Sequence, residues 1–201
     1  MNALLAISRG IDRVNEVIGK SVIWLILIAV IVSSVNALVR KFFNVSSNAW
    51  LELQWYLYGA AFLLAAAYTL KQGEHVRIDI AYATWSRRTQ HRVDLFGHLV
   101  FLAPFIALMC YYLWPYAMRS ICVGQNEFCR IEMSPNSGGL PLWPVKLLLL
   151  FSFIQMGFQA FSEIIKKIAV MRGLIEDPNP FVSAQEAAEA ETEALVREIQ
   201  K

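Results

Sequence analysis

Apolar residues fill four long blocks with few breaks, at residues 21–39, 49–70, 95–114 and 142–165. Each meets the ~20 residues that a membrane-spanning helix requires. A helix of a soluble bundle would show a polar face at helical spacing, and these blocks mostly lack one. The pattern predicts an all-α integral membrane protein with four transmembrane helices. Ahead of the first block, Leu4, Ile7, Ile11, Val14 and Ile18 recur on one helical face, with Arg9, Asp12, Arg13 and Glu16 largely off it. That spacing predicts a short amphipathic N-terminal helix over residues 1–19 lying at the membrane surface. The first block is also longer than the apolar region of a signal peptide, so it reads as a span.

The same pattern divides the chain into the interfacial helix at 1–19, a four-helix membrane domain at 20–167, and a tail at 168–201. Within the tail, Asp177-Pro178-Asn179-Pro180 stops any helix, and the Ala- and Glu-rich stretch beyond it is expected to be partly helical and solvated. Inside the third block, Pro104 is expected to kink the helix. Pro144 falls in the first turn of the fourth, where a missing N–H costs little.

Composition sharpens this picture. The chain is 57% hydrophobic and only 17% charged, less charge than a soluble domain of 201 residues normally carries. The net charge of +2 says little about partners and gives no sign of nucleic-acid binding, but the placement of the basic residues is informative. Arg9, Arg13, Lys20, Lys71, Arg77, Arg87, Arg88, Arg92, Lys166, Lys167, Arg172, Arg197 and Lys201 fall on the side of the termini. Arg40, Lys41, Arg119, Arg130 and Lys146 fall on the other. The excess predicts cytoplasmic N and C termini. Trp50, Trp55, Trp114 and Trp143 then gather near the outer interface and Trp85 near the inner one, where indole rings prefer to sit.

Candidate chemistry is sparse. There is no Gly-x-Ser-x-Gly, P-loop or HExxH sequence. His75, His91 and His98 all lie near the cytoplasmic side, so no pair of core histidines is placed to ligate haem. One histidine with scattered carboxylates is a poor metal-ligand set. No CxxC pair is present for a quinone-linked thiol oxidoreductase. The chain therefore reads as a non-enzyme without a cofactor or metal. In the outer loop, Cys122 and Cys129 are either a disulfide or two free thiols, and Cys110 in the third block packs as a small hydrophobe. The charges that stand out in the spans are Glu52 and Lys146, both near the outer edge. Glu52 sits in the first turn of its helix after Asn48, a suitable N-cap, and reads as a structural or partner-contact residue rather than an ion carrier. Gln54 faces another direction, towards a neighbouring helix. Gly59 and the alanines after it thin the middle of the helix for close packing. Lys71, Glu74, His75, Arg77 and Asp79 form a polar turn at the cytoplasmic exit. A stand-alone small transporter is the competing reading, and it would need charge or broken helices near the midplane.

Two stretches carry a family resemblance. The run ELQWYLYGAAFLLAAAYTLKQGEHVRIDI at 52–80, the run EMSPNSGGLPLWPVK at 132–146 and the four-span topology resemble the DctQ-type small membrane subunit of tripartite ATP-independent periplasmic (TRAP) transporters. The resemblance covers about residues 19–167. It implies a multi-pass protein of the bacterial inner membrane, surrounded by membrane lipids and paired with a large TRAP membrane subunit that carries the substrate and sodium sites. A periplasmic solute-binding protein would deliver an organic acid, and the large subunit would move as an elevator against a fixed scaffold that this chain enlarges. Glu52, Gln54, Trp55 and Gly59 map onto the second-helix motif. His75, Arg77 and Asp79 map onto its cytoplasmic end. Ser134, Gly138, Gly139, Leu140, Pro141 and Lys146 map onto the outer-loop motif.

Overall fold

A computed structural model describes residues 2–45, 47–73, 85–122, 131–177 and 192. These residues form four long helices: α1 (Asn2–Phe43), α2 (Asn48–Gln72), α3 (Arg87–Ile121) and α4 (Trp143–Met171). The described residues contain no strand, only an isolated antiparallel bridge between Met133 and Pro141. α4 is central and packs against each of the other three, while α1 also runs along α2.

Three helices, α1, α3 and α4, are long and apolar enough to cross a membrane. The fourth expected span, α2, has the length at 25 residues but is not among them. The physical reason is its content of Gln54, Trp55, Tyr56, Tyr58 and Tyr68, amphipathic or polar side chains that lower its mean hydropathy.

The boundaries also differ from those expected. Residues 2–19 do not form a separate helix; they are continuous with the first span in one 42-residue helix, ~63 Å long at 1.5 Å per residue. α3 extends past Pro115 to Ile121, and α4 extends past 165 to Met171. In α3 the distortion expected at Pro104 takes the form of a π-turn at His98–Leu102, closed by the Ala103 N–H donating to the His98 carbonyl. The wide turn lies directly before the proline, whose ring crowds the preceding turn. α2 ends where Gly73 adopts the left-handed conformation (φ 70°) that a Cβ disfavours.

Packing in this bundle is inverted relative to a soluble core. The largest fully buried side chains are polar: Gln159, Asn15, Ser8, Ser120 and Ser162. The most buried apolar residues are small, with Ala29, Ala67, Ala117, Ala160 and Ala169 at 2% exposure or less. Large apolar side chains such as Trp24, Trp55, Phe62, Phe101 and Tyr111 point outward. In water such a surface would drive aggregation. In hydrocarbon it is the expected arrangement, because small residues let helices approach and polar side chains find partners only inside. Gly19 on α1 shows how close the approach is, since a Cβ there would come within 2.4 Å of the Tyr68 ring on α2.

Candidate functional site

Two polar constructions stand out, one at each end of the bundle. At the first, Glu52 is 4% exposed in the second turn of α2. Its carboxylate accepts from three donors of the segment that leads into α4. Ser134 Oγ and Asn136 Nδ2 (2.8 Å) donate to Oε1, and the Leu140 N–H donates to Oε2 at 2.6 Å. The segment is a short hairpin-like loop, closed by Ser134 N–H to Leu140 O (3.0 Å) and Leu142 N–H to Glu132 O (3.0 Å). Gly138 turns it with φ 70°.

Gly139 passes directly over the carboxylate. A Cβ at this position would lie 2.6 Å from Ser134 Cβ and 2.8 and 2.9 Å from the two Glu52 oxygens. Gly139→Ala is therefore expected to lower stability by about 1–3 kcal/mol through overpacking. Thermal unfolding in detergent measures this, and Gly138→Ala serves as a comparison in which only backbone strain applies.

Further contacts fix the same loop. Asn48 Nδ2 donates to the Ser137 carbonyl (3.0 Å) and Tyr56 Oη donates to the Pro141 carbonyl (3.2 Å). Asn48 thus is not the N-cap expected from the sequence. Ser47 occupies that position without a side-chain cap bond, and the Asn48 amide is spent on the loop. Lys146, in the first turn of α4, pairs with Glu132 at 2.5 Å and lies 4.1 Å from the centroid of the Tyr116 ring on α3. Two carboxylates, Glu52 and Glu132, with Lys146 and the loop's own donors therefore tie α2, α3, α4 and the loop together.

The second construction lies at the opposite end, between the N-terminal third of α1 and α4. Asn15 Nδ2 donates to Gln159 Oε1 (2.6 Å), and Gln155 Nε2 donates to Asn15 Oδ1 (3.0 Å). Gln159 Nε2 donates to Asp12 Oδ1 (2.9 Å) and to Glu163 Oε1 (2.8 Å). Ser162 Oγ donates to Asp12 (2.8 Å) and shares a 2.7 Å bond with Ser8. Lys166 Nζ completes the seam with Asp12 (3.0 Å) and Glu163 (2.5 Å). Nearby, Lys71 at the end of α2 meets Glu16 at 2.8 Å.

Sequence reasoning missed this seam. The signal was present: Ser8, Asp12 and Asn15 are spaced i, i+4, i+7, as are Gln155, Gln159 and Ser162. The apolar face of residues 4–18 is real, but the opposite inference about the polar face follows from the structure. Ser8 and Asn15 are buried against α4, while Leu4, Ile7 and Val14 are exposed. Glu163, within the fourth block, is a buried charge that the sequence reading did not single out.

Of the residues drawn from the second-helix and loop motifs, the structure brings together Glu52, Ser134 and Gly139, with Gly138 at the turn and Lys146 close by. Trp55 is exposed, and a Cβ on Gly59 would meet nothing within 4 Å, so neither joins the internal packing. Gln54 lines a separate cleft against α1. His75, Arg77, Asp79 and Cys129 lie outside the described residues. Cys122 ends α3, and Cys110 is a half-buried free thiol. Among the described residues no group of three or more His, Cys, Asp or Glu side chains could hold a metal ion.

These features, with apolar helices facing outward and polar residues zipped inside, frame the comparison with known proteins. A family model described as tripartite ATP-independent periplasmic transporters, DctQ component, matches residues 28–170. The chain belongs to the DctQ family. It is thus a membrane protein and a component of a TRAP transporter, from a family of transporter components and not of enzymes. No curated protein and no solved structure matches it. The family match takes in Glu52 and its loop as well as all of α2 and α3. It begins at residue 28, so Asp12, Asn15 and the rest of the α1 side of the seam lie outside it.

Proposed function

We propose that this DctQ-family chain is the small scaffold subunit of a sodium-coupled, binding-protein-dependent organic acid uptake system. It holds the large elevator-type membrane subunit and presents a firm outer surface to the periplasmic binding protein. It sits in the bacterial inner membrane with four spans, α2 included, and with cytoplasmic termini, as the distribution of basic residues favours. It carries no cofactor and catalyses no reaction.

One observation carries the scaffold reading. Each buried Asp, Glu, Lys or Arg among the described residues is held by a partner within the chain: Glu52 by its loop, Lys146 by Glu132, and Glu163 and Lys166 by each other. A protein that moves ions needs a group free to exchange its partner for the ion. Here the intramembrane charges act as rivets between helices. Glu52 with Gly139 and Asn136 gives a rigid loop at one end, and the α1–α4 seam gives a rigid end opposite. A disulfide between Cys122 and Cys129 would stiffen the same outer face.

Reconstitution distinguishes this from a stand-alone transporter. In liposomes with an imposed sodium gradient, the chain alone is expected to take up no organic acid. Uptake appears when the large membrane subunit and the loaded binding protein are added. Gradient-driven uptake by the chain alone contradicts the scaffold reading.

A further inference from the structure

Beside the Glu52 clamp, α1 and α2 splay to leave a cleft of about 480 Å³ lined by Ser33, Asn36, Arg40, Lys41 and Asn44 of α1 and its exit, and by Gln54 of α2. Ser33, Asn36, Arg40 and Asn44 follow helical spacing, so they form one polar stripe. Arg40 and Lys41 are exposed, and Ser33, Asn36 and Gln54 are half-buried. None of these five side chains takes part in a hydrogen bond or ion pair with any described residue. The polar side chains of the α1–α4 seam, by contrast, are bonded to one another. Polar side chains facing hydrocarbon without partners are costly, so a stripe of them marks a place where something polar binds.

The order of chemistry along the stripe identifies the occupant. Arg40 and Lys41 lie in the last turn of α1, at the interface end. Asn36 and Ser33 lie deeper by ~10 and ~15 Å from Phe43, counted at 1.5 Å per residue. Gln54 faces them from α2. No carboxylate lines the cleft. Two cations at headgroup depth with uncharged hydrogen-bond donors below match a glycerophospholipid, with its phosphodiester outermost and its ester carbonyls beneath. Arg and Lys beside one another suit the paired oxygens of a phosphate.

We propose that this cleft is a binding site for an anionic phospholipid in the leaflet on the Glu52 side. Its phosphodiester sits on Arg40 and Lys41 and its ester carbonyls accept from Asn36 and Gln54. The site is independent of the scaffold role and depends only on the bundle lying in a membrane. A lipid seated there would fill the splay between α1 and α2 and complete the outer surface around the clamped loop.

The test is native mass spectrometry of the full chain in mild detergent, with dioleoyl phosphatidylglycerol or dioleoyl phosphatidylcholine added at equal concentration. The wild-type chain is expected to bind the anionic lipid about thirtyfold more tightly, the scale that two basic residues near a membrane surface supply. Arg40→Gln with Lys41→Gln abolishes the preference and leaves phosphatidylcholine binding unchanged. The charge-preserving pair Arg40→Lys with Lys41→Arg retains it, which separates the charge effect from any loss of folding. Asn36→Leu with Gln54→Leu weakens both lipids. An excess of inorganic phosphate leaves the lipid adduct in place. The proposal is overturned if the glutamine pair keeps the preference, or if inorganic phosphate displaces the adduct and so shows a site for a soluble anion. It is equally overturned if the glutamine pair leaves lipid binding intact and instead strips the large subunit from the purified complex, which would make the cleft a protein contact.

Discussion

Glu52→Ala lowers the stability of the chain by about 2–4 kcal/mol and frees the loop that precedes α4. The estimate follows from what the substitution leaves behind: the Ser134 hydroxyl, the Asn136 amide and the Leu140 N–H lose their shared acceptor, and each buried donor left unpaired costs about 1–3 kcal/mol. Water reaches part of the loop and moderates the sum. Glu52→Gln keeps the shape but offers only one acceptor oxygen, so it falls between wild type and alanine. Hydrogen exchange of the backbone amides from residue 133 to residue 142 reads the effect directly. In the wild type the Leu140 and Leu142 amides are protected. In Glu52→Ala they exchange early while α3 and α4 remain protected. Unchanged exchange at Leu140 would show that the carboxylate does not hold the loop.

At the other end, Lys166→Met has a comparable or larger effect, a loss of about 3–5 kcal/mol. The lysine is 8% exposed and stands between Asp12 and Glu163. Its removal leaves two carboxylates facing each other through Gln159 with no cation, and an uncompensated buried charge is costly. The double substitution Lys166→Met with Asp12→Asn recovers part of the loss, because it removes one of the two charges. Thermal unfolding of the single and double variants in detergent gives the coupling. Additive losses would mean that Lys166 and Asp12 do not act through one another. The single variant is also expected to loosen α1 from α4, seen as faster proteolysis near the N terminus.

These two constructions differ in how far the sequence displayed them. Four apolar blocks became four helices because the length and apolar character of a span leave little alternative. Glu52 stood out because a carboxylate in an otherwise apolar run is conspicuous. Its pairing with the outer-loop motif did not, since Ser134, Asn136 and the Leu140 N–H lie more than eighty residues away and only the turn at Gly138 brings them over α2. The seam was hidden for a different reason. Residues 4–18 have an apolar and a polar face, and in water or at a membrane surface the polar face would point outward. In a membrane bundle the same periodicity is satisfied with the polar face inward, and only the matching stripe Gln155, Gln159, Ser162 on α4 distinguishes the two. Uninterrupted helix from Asn2 to Phe43 follows from that choice, because a segment held along α4 has no need to bend onto the surface. The N-cap reading of Asn48 failed because a long-range bond to Ser137 competes with the local cap.

The central claim is that this rigid bundle serves another membrane protein, and co-purification tests it most directly. With a tag at the C terminus and gentle extraction from native membranes, mass spectrometry of the purified material is expected to show one large multi-span membrane protein in stoichiometric amount. A chain that purifies alone or only with copies of itself, and still drives solute uptake in liposomes, would contradict the account and make Glu52 the first residue to examine for coupling.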